Sequence, residues 1–177
     1  MKATNPSLLI DLLAPLVAFG HHPTTLKQAN GVVLDKPGKP SYDTPASFRI
    51  IVLLKTISKI LERILTLRLT SLVRQVGLLH PNQCGSLPGL STSDAVATLT
   101  HEVWTLQRPR LKVSTLFLDI RAGFDNVNAP KLRALLLSRN IPSYMVDWVS
   151  SFFTGRRCTL VFQGAPGIPA PVSVGTP

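Results

Sequence analysis

Two carboxylates six residues apart are the chain's best candidates for chemistry. Asp119 ends the run Val113 to Ile120, which is rich in branched and apolar side chains, and Asp125 follows in a turn before the next helical stretch. A near-continuous apolar run of this kind reads as a strand covered on both faces. A carboxylate at the end of such a strand is costly to bury unless it is paired, hydrogen-bonded or bound to a cation. Open α/β sheets place ligands at the carboxyl ends of their strands. Asp119 is therefore a candidate ligand for a hard divalent cation, which takes oxygen donors. Asp125 is either a second ligand or a capping or turn residue, and the spacing does not choose between these roles.

Other metal and redox chemistry finds little support. Cys84 and Cys158 are far apart and form no CxxC, which excludes a disulfide scaffold and a cysteine zinc site. His21, His22, His80 and His101 form no HxxxH-type pair. Charge says more. Lys and Arg number 19 against 9 Asp and Glu, a net +10, although only 16% of the 177 residues are charged. The excess comes from scarce acids, and it favours a polyanionic partner such as nucleic acid or an anionic membrane. Hydrophobic residues make up 45%, enough for a core and against a fully disordered tail. The most apolar segment, Leu8 to Gly20, contains Asp11 and Pro15. It is too short for the roughly 20 apolar residues a spanning helix needs. A secretory signal starting at Lys2 fits poorly because of Asp11. A membrane-surface role is the weaker alternative, and the expectation is an amphipathic core helix with no membrane partner.

The elements that must position these groups alternate between helix and strand. Pro6 to Phe19 reads as a helix with Asn5 as its cap. Gly31 to Leu34 reads as a short strand, and Arg49 to Leu54 is extended or leads into the next helix. Lys55 to Val76 is the clearest helix, its apolar residues recurring at steps of three and four. Lys55, Lys59 and Arg63 form one basic stripe on it, partly offset by Glu62. Ser91-Thr92-Ser93-Asp94 resembles a capping box opening a helix to Gln107. Ala129 to Ser138, with Pro130 in its first turn, and Ser143 to Phe153 are further helices. Cys158 to Phe162 and Val172 to Val174 are short strands. The class is α+β or α/β.

Phe117-Leu118-Asp119-Ile120-Arg121-Ala122-Gly123-Phe124-Asp125-Asn126-Val127 resembles motif A of reverse transcriptases of non-LTR (LINE-type) retrotransposons. The likeness continues in order along the chain. Lys36-Pro37-Gly38-Lys39-Pro40 and Ser47 to Leu54 are similar to the family's first finger motif, extended by Thr56 to Ile64. Asn82 to Thr92 resembles the second finger motif. Lys131 to Pro142, Trp148 and Phe152 to Arg157 fit its paired helices and Gly-Arg-Arg segment, and Ser173 to Pro177 resembles the start of motif B.

The resemblance implies an α+β partial right-hand polymerase, with fingers plus the first part of the palm. Residues 1–24 would form an N-terminal helix upstream of the polymerase core, 25–110 the fingers region, and 111–177 the start of the palm, truncated. The implied activity is RNA-directed DNA synthesis from dNTPs on an RNA template and DNA primer, with Mg²⁺ in the complete domain and no obligate protein partner. The implied site follows the same match. Asp119 binds the catalytic metal, helped by the Ile120 backbone carbonyl, and Phe124 packs under the nucleotide sugar. Arg49, with Lys39 or Lys59, holds the phosphates. A retrotransposon product is expected inside the cell, in cytoplasm or nucleus.

Three departures bear on function. The family's Arg-Pro-Ile is Arg49-Ile50-Ile51 here. Two arginines of its second finger motif are Leu87 and Leu90, which removes two cations able to bind phosphate. No pair of adjacent aspartates occurs in the 177 residues, whereas the family takes its remaining metal carboxylates from such a pair. The polypeptide alone is therefore expected not to polymerise DNA. The alternative reading is a non-catalytic basic nucleic-acid-binding remnant.

Overall fold

β-Branched residues in Gln28–Asp35 (β1) and Phe48–Leu53 (β2) favour extended backbone, and the two strands pair antiparallel. The computed structural model describes residues 6–109, 111–173 and 175. β1 also pairs in parallel with Arg156–Phe162 (β3), from Gln28 opposite Arg157 to Val32 opposite Val161. Two short strands, Ala165–Pro166 (β4) and Ala170–Val172 (β5), run antiparallel to β3. The sheet order is β2-β1-β3-β4, with β5 also on β3. The register puts Ala29 and Gly31, Ile50 and Val52, and Cys158 and Leu160 on one face.

Five helices accompany the sheet: α1 (Pro6–Ala18), α2 (Thr56–Gln75), α3 (Thr92–Gln107), α4 (Ala129–Ser138) and α5 (Ser143–Phe153). The class is thus mixed helix and strand, as read from sequence. The chain divides into two compact units, one made of residues 1–67 with 122–177 and one of residues 68–121. The core of the first unit contains Leu13 and Val17 of α1, Leu61 and Leu65 of α2, Ile141, and Met145, Val146 and Trp148 of α5. The α1 expectation of an amphipathic core helix holds for Leu13 and Val17, while Leu8, Ile10 and Leu12 stay exposed. Its proposed cap, Asn5, lies outside the described residues, as does Val174 of the last expected strand. No helix among the described residues is long and apolar enough to cross a membrane.

In the second unit, α3 begins with the capping box read from sequence. Asp94 N–H donates to Ser91 Oγ at 3.3 Å, and Ser91 N–H donates to Asp94 Oδ2 at 2.7 Å. None of the α3 residues is buried, so packing contributes little and the cap matters more. Ser91→Ala is expected to cost about 1 kcal/mol. Hydrogen exchange of the first α3 amides checks this; unchanged protection would show the cap to be idle.

One expectation is overturned. Residues 111–120 form no strand. Leu116, Phe117, Leu118 and Ile120 are 80–85% exposed. An apolar run on both faces becomes a buried strand only when neighbours supply ladder partners and covering layers. Among the described residues none pairs with this segment.

Candidate nucleotide and metal site

The loss of that strand changes the setting of Asp119. Its carboxylate is exposed, as is Ile120. Water therefore reaches Asp119, and no desolvation cost calls for a cation there. Among the described residues, no three His, Cys, Asp or Glu side chains stand close enough to hold a metal ion. The described residues thus do not fit a Mg²⁺ centre, which needs several oxygen ligands gathered at one point.

Phe124 and Asp125 belong to the other unit, on a tight turn. Ala122 opens it with φ +52°, a left-handed conformation unfavourable for alanine. Asn126 holds it: its backbone N–H and its side-chain Nδ2 both donate to the Ala122 carbonyl, at 3.1 and 2.9 Å. Phe124 is 77% exposed yet lines a cavity of about 450 Å³. Its floor is the sheet face carrying Ile50, Val52 and Leu160, and Lys27, Arg156 and Arg157 bring positive charge to its walls. A cavity of this size with an apolar floor and a few charged groups is typical of small-molecule sites.

Arg156 is the most buried of these cations, at 8% exposure. Its guanidinium lies over the Phe152 and Phe153 rings at 5.5 and 5.6 Å and donates to the Gly175 carbonyl at 3.3 Å. Burial lowers its pKa, while the charge of Glu62 works in the opposite direction. Burial also lowers the pKa of Lys27. The wall behind contains a polar chain that sequence reading missed. His22 Nε2 lies 3.0 Å from Ser58 Oγ, and Ser58 Oγ donates to Glu62 Oε1 at 2.7 Å. Burial is the main cause of a His22 pKa lowered to about 4, aided by the charges of Lys27 and His21. Burial raises that of Glu62.

The remaining sequence candidates are dispersed. Arg49 is exposed on β2 and lines a second cavity, of about 990 Å³, with Lys36, Asp43 and Asp125. Asp125 borders both cavities. Lys39, beyond β1, and Lys59, on α2, are exposed and line neither. Arg156 and Gly175 were not singled out in the sequence as site residues. A basic residue after the Gly155 helix stop was visible, but its burial was not.

The profile of the family described as reverse transcriptase (RNA-dependent DNA polymerase) matches residues 34–177. The chain belongs to the reverse transcriptase family. The match covers most of the chain and includes every residue named above in this site except His21, His22 and Lys27. A probable RNA-directed DNA polymerase from transposon X-element of Drosophila melanogaster is 32% identical over 145 residues, 82% of this chain and 16% of that protein. A second Drosophila melanogaster protein, the probable RNA-directed DNA polymerase from transposon BS, is 28% identical over 155 residues, 88% of this chain and 17% of its own length. The transposon TX1 uncharacterized 149 kDa protein of Xenopus laevis is 26% identical over 129 residues, 73% of this chain and 10% of that one. This reverse transcriptase segment thus spans about a sixth or less of the relatives it matches.

Proposed function

We propose that the chain forms the fingers and the first part of the palm of a non-LTR retrotransposon reverse transcriptase, an RNA-directed DNA polymerase using dNTPs on an RNA template and DNA primer. The family match over residues 34–177 carries this reading. Residues 1–24 are then an upstream helix, 25–110 the fingers and 111–177 the palm's beginning. Asp119 and the Ile120 carbonyl are metal ligands of the complete domain, which would use Mg²⁺. Phe124 contacts the nucleotide sugar, and Arg49, Lys39 and Lys59 contact phosphates. The Phe124 position at a cavity with three basic residues suits an anionic ligand with a flat, partly apolar body.

Phosphoryl transfer by two cations needs several carboxylates to hold them. With Asp119 alone, the purified 177-residue chain is expected to give no primer extension. Extension by the wild type that disappears in Asp119→Ala would overturn this expectation. Nucleic-acid binding does not require the metals. If Arg49, Lys39 and Lys59 each meet one phosphate of single-stranded RNA, log K falls with log salt at a slope of about −2, roughly twentyfold between about 50 and about 200 mM salt. Anisotropy titrations with labelled RNA measure this, and binding indifferent to salt would count against both the polymerase and the simple basic-binder readings. The second reading, a non-catalytic nucleic-acid binder, draws on the net charge of +10. Primer extension by a longer protein that joins this segment to an Asp-Asp pair separates the two.

A further inference from the structure

The Phe124 turn is tied to the sheet through a single glycine. Arg156, the first residue of β3, donates to the Gly175 carbonyl at 3.3 Å. The Gly175 amide in turn donates to the Val127 carbonyl at 3.2 Å. Gly175 has φ +82°, and a Cβ built on it would lie 2.8 Å from the Asp125 carbonyl oxygen and 3.0 Å from the Asp125 Cα. Backbone therefore packs directly on backbone at the residue after Phe124, an approach closed to any side chain. The Arg156 end is equally fixed. Its guanidinium is buried over two phenylalanine rings, and among the described residues it forms no ion pair. A buried cation of this kind is oriented by the few groups it can reach.

From this connection we infer that Arg156 is a positioning residue: through Gly175 it sets the turn 122–127, and with it the height at which Phe124 stands over the cavity. The functional consequence rests on the proposed sugar contact of Phe124; the mechanical part does not. The Ala122 conformation supports the same conclusion. A non-glycine residue with positive φ persists only when its surroundings over-determine it. Asn126 and the Val127 amide, which donates to the Phe124 carbonyl at 3.4 Å, restrain this turn from within, and the Arg156–Gly175 connection restrains it from outside.

Hydrogen exchange on the full 177-residue chain tests the connection without nucleotide or metal. Arg156→Gln breaks it at the cation and Gly175→Ala at the backbone contact. In either variant the amides of 122–127 are expected to exchange roughly tenfold faster or more, with β1 and β2 protected as before. Should Arg156→Gln unfold the chain, Gly175→Ala still reads the turn selectively. Unchanged exchange at 122–127 in Gly175→Ala would overturn the inference. So would acceleration shared equally with β1 and β2, since Arg156 would then serve the whole unit rather than the turn. Nucleotide choice is read separately, in a polymerase that joins this segment to its Asp-Asp pair. There Arg156→Gln and Phe124→Ala should shift selection of dNTP over rNTP in the same direction, Arg156→Gln by roughly tenfold. If Phe124→Ala leaves selection unchanged, the sugar contact fails while the exchange result stands. If Phe124→Ala shifts it and Arg156→Gln does not, the positioning role fails.

Discussion

Gly20→Ala is expected to destabilise the unit that carries Phe124 by about 3 kcal/mol, the sum of a left-handed backbone cost and overpacking. Gly20 ends α1 with φ +61°, where its amide donates to the Val17 carbonyl at 3.2 Å and the next amide, of His21, donates to the Leu16 carbonyl at 2.9 Å. The glycine also lies against the backbone of α5. A Cβ there would be 2.6 Å from the Tyr144 carbonyl oxygen, 2.9 Å from the Asp147 Cβ and 3.2 Å from the Trp148 nitrogen. The first two distances are too short for real contacts, and the Tyr144 carbonyl is helix backbone that cannot turn aside. Relief would require α1 to move off α5, and the chain after Gly20 is fixed to α5 as well. The His22 amide donates to Ser151 Oγ at 3.0 Å, and the His22 ring sits edge-on to Trp148 and Phe152 at 5.1 and 5.3 Å. Gly38→Ala is the matching control. Gly38 has φ +77° with nothing within 4 Å of its Cβ position, so it should show only the backbone cost of about 1 kcal/mol. Urea unfolding of the three proteins separates the contributions. Equal losses in Gly20→Ala and Gly38→Ala would mean that α1 and α5 yield without resistance.

The contrast between these glycines also shows what sequence could and could not reveal. Helices announced themselves through local patterns. The α2 periodicity, the Ser91–Asp94 box and Pro130 near the start of α4 gave α2, α3 and α4 nearly to the residue. Strand register was less visible. Gly31 to Leu34 grew to Gln28–Asp35 because pairing with β2 and β3 extends it, and pairing is set by distant residues. Val113 to Ile120 shows the opposite error. Its apolar run satisfies the rule for a covered strand, but the rule presumes neighbours that the sequence of the run does not specify. The candidate residues divide in the same way. Asp119, Phe124 and Arg49 are candidates named from an ordered set of motifs, and of these Phe124 lines the cavity of about 450 Å³. His22, Ser58, Glu62, Arg156 and Gly175 are not among them, because they meet across separations such as 36 residues for His22 with Ser58 and 19 for Arg156 with Gly175. Glu62, which partly offsets the basic stripe on α2, feels the charge of Lys59 but accepts its hydrogen bond from Ser58, and Lys55, Lys59 and Arg63 are exposed.

That inward-facing chain makes the fold sensitive to acid. His22 is 1% exposed, and its ring has one hydrogen-bond partner, Ser58. While Glu62 is ionised, the single Ser58 hydroxyl proton goes to Glu62, so Nε2 of His22 must carry the hydrogen that Ser58 accepts. Among the described residues, Nδ1 then keeps a lone pair with no partner in hydrogen-bonding geometry. Protonation would place a second N–H there, in a buried site facing the charges of Lys27 and His21, with only the weaker pull of the Pro23 backbone in its favour. Burial first, and those charges second, hold the His22 pKa at about 4 against an ordinary 6.5. The unfolded chain therefore takes up a proton before the folded one does. The stability contributed by neutral His22 is fully present above pH 6.5, is lost as pH falls toward 4 and changes no further below that. The loss amounts to at most about 3 kcal/mol. Glu62 works against it. Its pKa is raised by burial, so its own contribution is present below its ordinary 4.5 and is lost as pH rises through its folded value. Net stability should still fall from pH 6.5 to 4.5, by less than one full proton's slope, and Glu62→Gln should steepen the fall. Urea midpoints across this range give the slope. An imidazole NMR titration of His22 gives its cause: a midpoint near 4 is expected, and one near 6.5 would mean that water reaches Nδ1 and that the buried chain does not set the acid response.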